Sequence, residues 1–310
     1  MTENPLKGHF RQPKIYITLP SQLKFYPPGA IVETETGEFP VYAMTARDEL
    51  AFKTPDALLN GQATVDVIQS CVPNIKNAWA IPSIDLDAIL IAIRIATYGP
   101  SMDIETVIPT IKEERTYQLD LTTTLDSLRE HEFEDTVIAN GLVVKLRPLT
   151  YKEFTKSALK TFEEQRVFSI VNDEDLSEEE KIQRFQKSFQ KLNNLTVGII
   201  EDSIVSIEVD DTVVDSKQHI VEFLQNADKD FYNALTSHIE SQRDKFKIPP
   251  LTVTTSEEDQ EKGAPATYEV PVLFDQSECK HYHCSKNIIC RRLCKVSSTH
   301  KRCIAVKMPY

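Results

Sequence analysis

Residues 83–100 read SIDLDAILIAIRIATYGP, and this stretch predicts the helix around which the fold is organised. The helical segment begins at Ser83 and stops at Gly99-Pro100, because glycine and proline are typical of the residues just beyond a helix. Its apolar residues cover most faces instead of a single stripe, which is typical of a helix enclosed by other elements. We therefore expect Ser83–Tyr98, called the core helix below, to lie inside a domain.

Short strands and helices are predicted on both sides of the core helix. Helices are expected at about 46–53 and 63–72, and the alternating run Tyr117-Leu119-Leu121 predicts a half-buried strand. A glycine-containing turn between two β-prone runs predicts a hairpin. Two such hairpins are expected, from runs 30–35 and 38–44 around Thr36-Gly37 and from runs 136–139 and 142–147 around Asn140-Gly141.

Capping boxes predict where several helices begin, because a Ser or Thr and an acidic residue three positions later satisfy each other's backbone N–H groups. They occur at Thr45 with Asp48, Thr150 with Glu153 and Ser177 with Glu180, while Ser216 and Asp228 are candidate N-caps. The second and third boxes open helices towards Phe168 and Ile204. A small hairpin is expected from runs 205–209 and 212–214.

The fold class predicted from these elements is α+β, with two lobes. Residues 1–149 form a mixed hairpin-and-helix domain around the core helix, and residues 150–248 form a mainly helical domain. Residues 249–275 are rich in Thr and Glu and are expected to form an extended arm or linker. Residues 276–310 are a basic tail rich in Cys and His that is predicted to be disordered.

The charge is divided sharply along the chain. The formal net charge is −12, but the tail 276–310 carries eight basic residues and one acid, so it is +7 and the rest of the chain is −19. A body this acidic repels nucleic acid and anionic membranes, which leaves only the tail to bind either. The longest apolar stretch is too short to span a membrane, and we expect a soluble protein without a signal peptide.

Catalytic motifs are missing from the sequence, and we do not expect an enzyme or a bound cofactor. No G-x-S-x-G, H-E-x-x-H, G-x-x-x-x-G-K or G-x-G-x-x-G pattern occurs. Asp85 and Asp87 suit stabilisation of the positive helix end better than metal binding. His131 lies beside three acidic residues, Glu132, Glu134 and Asp135, a group that is more typical of a solvated charged face than of a metal or acid–base site.

The cysteines are concentrated in the tail. Cys71 is the only one of six outside it, which favours a reducing compartment. The five tail cysteines and three histidines include zinc-ligand types, but they lack a C-x2-C pair. The tail is therefore interpreted as disordered or as a foreign C-terminus, with a zinc site and a basic contact arm as alternatives.

An ordered set of short motifs resembles the baseplate hub protein family of T-even-like contractile-tailed bacteriophages. The resemblance covers about residues 15–155. It is carried by Leu19-Pro20-Ser21 followed by Tyr26, VYAMTARDEL (41–50), Asn60-Gly61, residues 68–71, DAILIAIRIATYG (87–99) and VKLRPLTYKE (144–153).

This resemblance implies a structural or assembly protein that helps to build the central hub of the tail baseplate. The expected partners are other baseplate and tail proteins, with self-association left open, and the expected location is the virion tail or the host cytoplasm during assembly. Two alternatives are a transient tail-assembly chaperone or adaptor, whose arm could add a strand to a partner, and a zinc- or nucleic-acid-binding module in the tail.

Six residues in the resembling segments are candidates for partner binding: Tyr26, Arg47, Asp48, Glu49, Arg94 and Tyr98. Two of them have an alternative role, because Asp48 and Glu49 lie where acidic residues stabilise the start of a helix. For Arg94, a buried ion pair with Asp48 or Glu49 is the alternative.

Overall fold

The computed structural model describes residues 6–52, 61–170, 177–210 and 212–272, and it confirms the α+β class. Ten strands are present in this part of the chain: β1 (Pro13–Ile17), β2 (Phe39–Tyr42), β3 (Ser101–Val107), β4 (Glu114–Asp120), β5 (Thr136–Ala139), β6 (Leu142–Leu146), β7 (Ile204–Val209), β8 (Thr212–Val214), β9 (Leu251–Thr254) and β10 (Thr267–Val270). The α-helices described are α1 (Ala46–Phe52), α2 (Gln62–Cys71), α3 (Ser83–Tyr98), α4 (Leu121–Arg129), α5 (Tyr151–Ile170), α6 (Glu178–Ser203), α7 (Lys217–Asn226), α8 (Lys229–Lys245) and α9 (Glu257–Glu261).

The core helix, α3, is the centre of the larger of two buried clusters. Ile89, Ile91 and Ala92 are completely buried, and the helix ends at Gly99, whose φ of 93° suits a glycine. The sheet β1–β2 and the helices α2 and α4 contribute side chains to the same cluster. The enclosed helix expected from the apolar pattern is therefore present.

The first hairpin predicted from the sequence is wrong in its pairing. The turn forms, with the N–H of Gly37 donating to the carbonyl oxygen of Thr34 at 3.2 Å, but β2 pairs antiparallel with β1 and not with run 30–35. Ile17 and Phe39 face each other across this pair and are buried. Run 30–35 offers no matching apolar face, because Glu33, Thr34 and Glu35 follow its first apolar residues.

The second buried cluster lies against the four-stranded antiparallel sheet, in the order β5-β6-β7-β8. Its β5–β6 hairpin forms over Asn140-Gly141 as expected, with φ values of 51° and 80° at the two residues. The helices α6, α7 and α8 contribute the other buried side chains, among them Ile200, Leu224 and Leu235. The sheet therefore combines the hairpin β5–β6, which precedes residue 150, with the strands β7 and β8, which follow it.

The capping boxes predicted at Thr150 and Ser177 are both present. The N–H of Glu153 donates to Thr150 Oγ1 at 3.3 Å, and the N–H of Thr150 donates to Glu153 Oε2 at 2.8 Å. The two terminal nitrogens of the Arg147 guanidinium, Nη1 and Nη2, also donate to Glu153, at 2.9 and 2.8 Å. Burial works to raise the pKa of Glu153, but the bonds from Arg147 and Thr150 lower it to about 2.

The predicted extended arm is instead folded onto the larger cluster. β9 and β10 pair antiparallel from Leu251 with Val270 to Thr254 with Thr267, and α9 lies between them. Val253 and Val270 are buried in the cluster that contains the core helix. The Thr- and Glu-rich composition reflects the exposed face of this hairpin, while the alternate valines supply its buried face.

Candidate functional site

The start of α1 is fixed by the capping box expected from the sequence. The N–H of Thr45 donates to Asp48 Oδ2 at 2.8 Å, and the N–H of Asp48 donates to Thr45 Oγ1 at 3.2 Å. Asp48 is buried and also accepts a hydrogen bond from Ser70 Oγ at 3.0 Å. The capping alternative for Asp48 is therefore confirmed. Its carboxylate already accepts hydrogen bonds from Thr45 and Ser70 within the protein.

Arg11 joins three segments around this carboxylate, and sequence reasoning missed it. Its Nη1 donates to the carbonyl oxygen of Ala43 at 2.6 Å and lies 3.5 Å from Asp48 Oδ2, while its Nη2 donates to Ser70 Oγ at 2.8 Å. The guanidinium also lies over the ring of Tyr42, 5.6 Å from the centroid. No local pattern marks Arg11, because all these partners are distant in sequence.

Cys71 lies at the edge of this arrangement and is completely buried. Burial and the nearby Asp48 carboxylate raise the pKa of the Cys71 thiol to about 11, against the smaller opposing effect of Arg11. The thiol is consequently protonated at neutral pH, and a protonated thiol is a poor nucleophile and metal ligand.

Arg94 and Tyr98 form a pair at the carboxyl end of the core helix. The Arg94 guanidinium lies 4.9 Å from the centroid of the Tyr98 ring, which is a cation–π contact. The alternative of an ion pair between Arg94 and Asp48 or Glu49 is wrong: among the described residues Asp48 pairs with Arg11, and neither Arg94 nor Glu49 takes part in an ion pair. Helix geometry explains the outcome, since residues four apart lie on one face.

Four of the six candidate residues are exposed or half-exposed and lie on α1 or on the last two turns of the core helix. The N–H of Met44, just before α1, donates to Thr97 Oγ1 at 3.0 Å and brings α1 to the last turn of the core helix. Arg47 is exposed on α1, and Tyr98 is 51% exposed. These exposed or half-exposed residues of α1 and the core helix, Arg47, Glu49, Arg94 and Tyr98, are together called the α1–α3 surface below.

Tyr26 lies at the opposite end of the core helix and does not belong to this surface. Its hydroxyl is buried near Asp85, in the first turn of the helix, without a hydrogen bond of ordinary geometry. Burial, followed by the charge of Asp85, raises the pKa of Tyr26. Since Asp85 and Tyr98 are 13 residues apart at 1.5 Å per residue, the two ends are about 20 Å apart.

Asp85 anchors the segment that precedes Tyr26. The N–H of Ser21 donates to Asp85 Oδ1 at 2.7 Å, and Ser21 Oγ donates to Oδ2 at 2.5 Å. Gln22 and Leu23 follow with positive φ angles, so these bonds hold a strained turn against the helix. Asp85 therefore serves as a tertiary anchor, beyond the interaction with the helix end that was expected.

The buried carboxylate of Asp85 makes the stability of the fold depend on pH. Burial raises the pKa of Asp85 to about 6, against the opposing effect of the Ser21 bonds, from an ordinary 3.8. The folded state then binds more protons than the unfolded state between these values, so stability rises as the pH falls from 7 to 5. For Asp85 alone the expected gain is about 1 kcal/mol.

Replacing Asp85 by Asn is expected to remove this gain, because an amide does not titrate, its oxygen can still accept from the Ser21 N–H, and its nitrogen can donate to Ser21 Oγ. Urea unfolding at pH 5 and pH 7 gives the change in the free energy of unfolding between the two pH values for each protein. Comparing that change in the wild type and the variant removes the contribution of other titrating groups, such as Asp87, whose pKa burial also raises to about 6. An equal pH dependence of the wild type and the variant would contradict the assignment.

The acidic group around His131 is a paired, exposed surface. It borders an open cavity of about 460 Å³ with Lys24 and Lys245. Lys24 Nζ lies 2.5 Å from Glu132, and Lys245 Nζ lies 2.5 Å from Glu134. Among the described residues, no group of three or more His, Cys, Asp or Glu side chains is arranged to hold a metal ion.

The Cys- and His-rich tail 276–310 lies outside the described residues, and so do the zinc and basic-arm interpretations of it. Within the described ranges, no helix is both long enough and apolar enough to cross a membrane.

Comparison with known proteins identifies the family. The family described as T4 bacteriophage base plate protein matches residues 33–260, which is more than two thirds of the chain and includes the core helix, α1, most of the first buried cluster and all of the second. No curated protein and no solved structure shows significant similarity. Membership implies a structural or assembly role in the phage tail, with other baseplate and tail proteins as partners. Since the match spans most of the folded part, the chain belongs to the T4 bacteriophage base plate protein family.

Proposed function

We propose that this protein helps to build the central hub of the baseplate, and that it does so through protein–protein contacts without a catalytic step. The family match over residues 33–260 carries the proposal. The hub assignment rests on the ordered motifs from Leu19 to Glu153 that resemble hub proteins. Membership of the mature virion is the simplest role, and an assembly factor that leaves before completion is the alternative.

The α1–α3 surface is the contact region we propose. Arg47 and Tyr98 are exposed, and the Arg94 guanidinium is held over the Tyr98 ring. Arginine and tyrosine are enriched at the centres of protein interfaces, because they combine apolar area with hydrogen-bonding groups. Asp48 caps α1, and the buried hydroxyl of Tyr26 lies near the first turn of the core helix. We therefore propose both as structural residues and not as direct contacts.

Mass spectrometry of purified tails and of baseplate assembly intermediates tests the hub assignment. We expect peptides of this chain in the finished tail, at a copy number that matches hub proteins. Peptides confined to intermediates would support the assembly-factor role instead. Their absence from both would contradict the proposed function.

Substitution of the α1–α3 surface tests the contact region. We expect the double variant Arg47→Ala and Tyr98→Ala to stay folded, with a loss of about 0.5 kcal/mol at the exposed Arg47 and about 1 kcal/mol at Tyr98, where the contact with Arg94 is removed. Truncation of interface anchors commonly costs more than 1 kcal/mol in binding, so incorporation into baseplate intermediates should fall at least severalfold.

The matched control is the substitution Val213→Ala on the exposed face of β8, which removes apolar surface elsewhere. Incorporation of the double variant at the level of the wild type would place the contact region on another surface.

A further inference from the structure

A second surface feature is a groove between the core helix and the hairpin β9–β10. It has a volume of about 450 Å³. Its apolar walls are Leu90 of the core helix, Ile248 and Pro250 before β9, and Pro271 and Val272 after β10. The core helix also contributes Asp87, which is the one acidic side chain among the described residues that line the groove.

The Asp87 carboxylate is half-buried and lacks a hydrogen bond or an ion pair with any described residue. Buried carboxylates usually accept hydrogen bonds, as Asp85 does two residues earlier, where Ser21 donates two hydrogen bonds to it. Burial raises the pKa of Asp87 to about 6, and no donor or cation among the described residues opposes the effect. Leaving a partly buried carboxylate without a partner costs stability.

The cation closest in sequence to the groove walls does not neutralise Asp87. Lys247 also lines the groove, but its Nζ lies 2.5 Å from Asp244 Oδ1. Within the described part of the chain, the groove therefore combines a negative charge that has no partner with apolar walls. A Lys or Arg side chain complements both features, because its aliphatic stem covers apolar surface while its charged end reaches a carboxylate.

We propose that this groove receives a Lys or Arg side chain from an apolar, basic segment of another baseplate protein. This inference rests on the protein-contact role proposed above. The charge of the chain favours the same kind of partner, since the 275 residues before the tail carry a net charge of −19 and attract cationic surfaces. The same charge opposes a second acidic copy and anionic ligands such as nucleic acid.

The groove is tested on the full-length protein with n-butylguanidinium, a mimic of the arginine side chain, and with n-butylurea, its uncharged isostere. Methyl NMR signals of Leu90, Ile248 and Val272 report binding in the groove. We expect n-butylguanidinium to shift these signals at millimolar concentration, and n-butylurea to bind at least tenfold more weakly.

The variant Asp87→Asn should lose at least tenfold in affinity for n-butylguanidinium, whereas Asp103→Asn, which neutralises an exposed carboxylate on β3, should leave it unchanged. Equal binding of the two probes, or unchanged binding to Asp87→Asn, would overturn the proposal. Shifts of the groove signals that depend on protein concentration alone would also overturn it, because they would indicate a second copy.

The groove proposal and the proposed hub function can be rejected by separate results. Charge-dependent probe binding in a protein that is missing from tails and intermediates would retain the groove and reject the hub role. A protein found in tails whose groove binds neither probe would retain the hub role and reject the groove.

Discussion

Replacing Ile91 by Asp is expected to prevent folding of the protein. Ile91 lies in the middle of the core helix and has 0% exposure, so the new carboxylate would be enclosed by apolar side chains. Loss of the buried isoleucine costs about 2–5 kcal/mol, and burial of an unpaired charged group adds several more. The total approaches or exceeds the roughly 5–15 kcal/mol that stabilises a typical domain.

The soluble fraction after expression and the thermal unfolding transition by circular dichroism measure this effect. Two controls are used: one changes the same residue conservatively, and the other introduces the same carboxylate at an exposed position. Ile91→Val should remain folded with a loss of about 0.5–1.5 kcal/mol, because only one methyl group is removed. Ile138→Asp on β5 should be nearly neutral, since Ile138 is 73% exposed. A cooperative transition of Ile91→Asp at the wild-type temperature would contradict the central position of the core helix.

The second large effect is expected from Gly61→Ala at the start of α2. Gly61 has a φ of 78°, which costs other residues about 1–2 kcal/mol. Its added Cβ would lie 3.0 Å from Tyr151 Oη and 3.1 Å from both Trp79 Cη2 and Thr155 Cγ2. The rings of Trp79 and Tyr151 are stacked with centroids 5.5 Å apart, so neither moves freely, and overpacking adds about 1–3 kcal/mol.

Gly37→Ala provides a matched control for the Gly61 variant. Gly37 has a φ of 73°, but a Cβ there would have no heavy atom within 4 Å. The difference between the two variants in urea unfolding therefore isolates the packing of α2 against Trp79 and α5. We expect Gly61→Ala to lose about 1–3 kcal/mol more than Gly37→Ala. Equal losses would show that the close approach at Gly61 is not a constraint.

The family could be identified from the sequence to a useful extent, but the contact site could not. Ordered motifs indicated a phage baseplate hub protein, and the family match confirms the base plate family, while the hub role remains a proposal. The six candidate residues were selected by resemblance alone. Their division into an exposed surface around Tyr98, a buried cap at Asp48 and a buried tyrosine at position 26 depends on packing that no motif encodes.

The sequence by itself determined the elements that depend on neighbours a few residues apart. The caps at Thr45, Thr150 and Ser177, the turn at Asn140-Gly141 and the enclosure of the core helix all follow from local hydrogen bonding, backbone preference and apolar pattern.

Only the tertiary structure decided which distant segments meet. β2 pairs with β1, Arg11 reaches Asp48, Ser21 holds Asp85, and the hairpin β9–β10 folds onto the core helix cluster. Each of these contacts joins residues more than 20 positions apart, so it depends on the burial of apolar surface throughout the domain. Local secondary-structure preferences do not distinguish such partners, because several segments of similar polarity could pair with the same sheet edge or the same charged side chain.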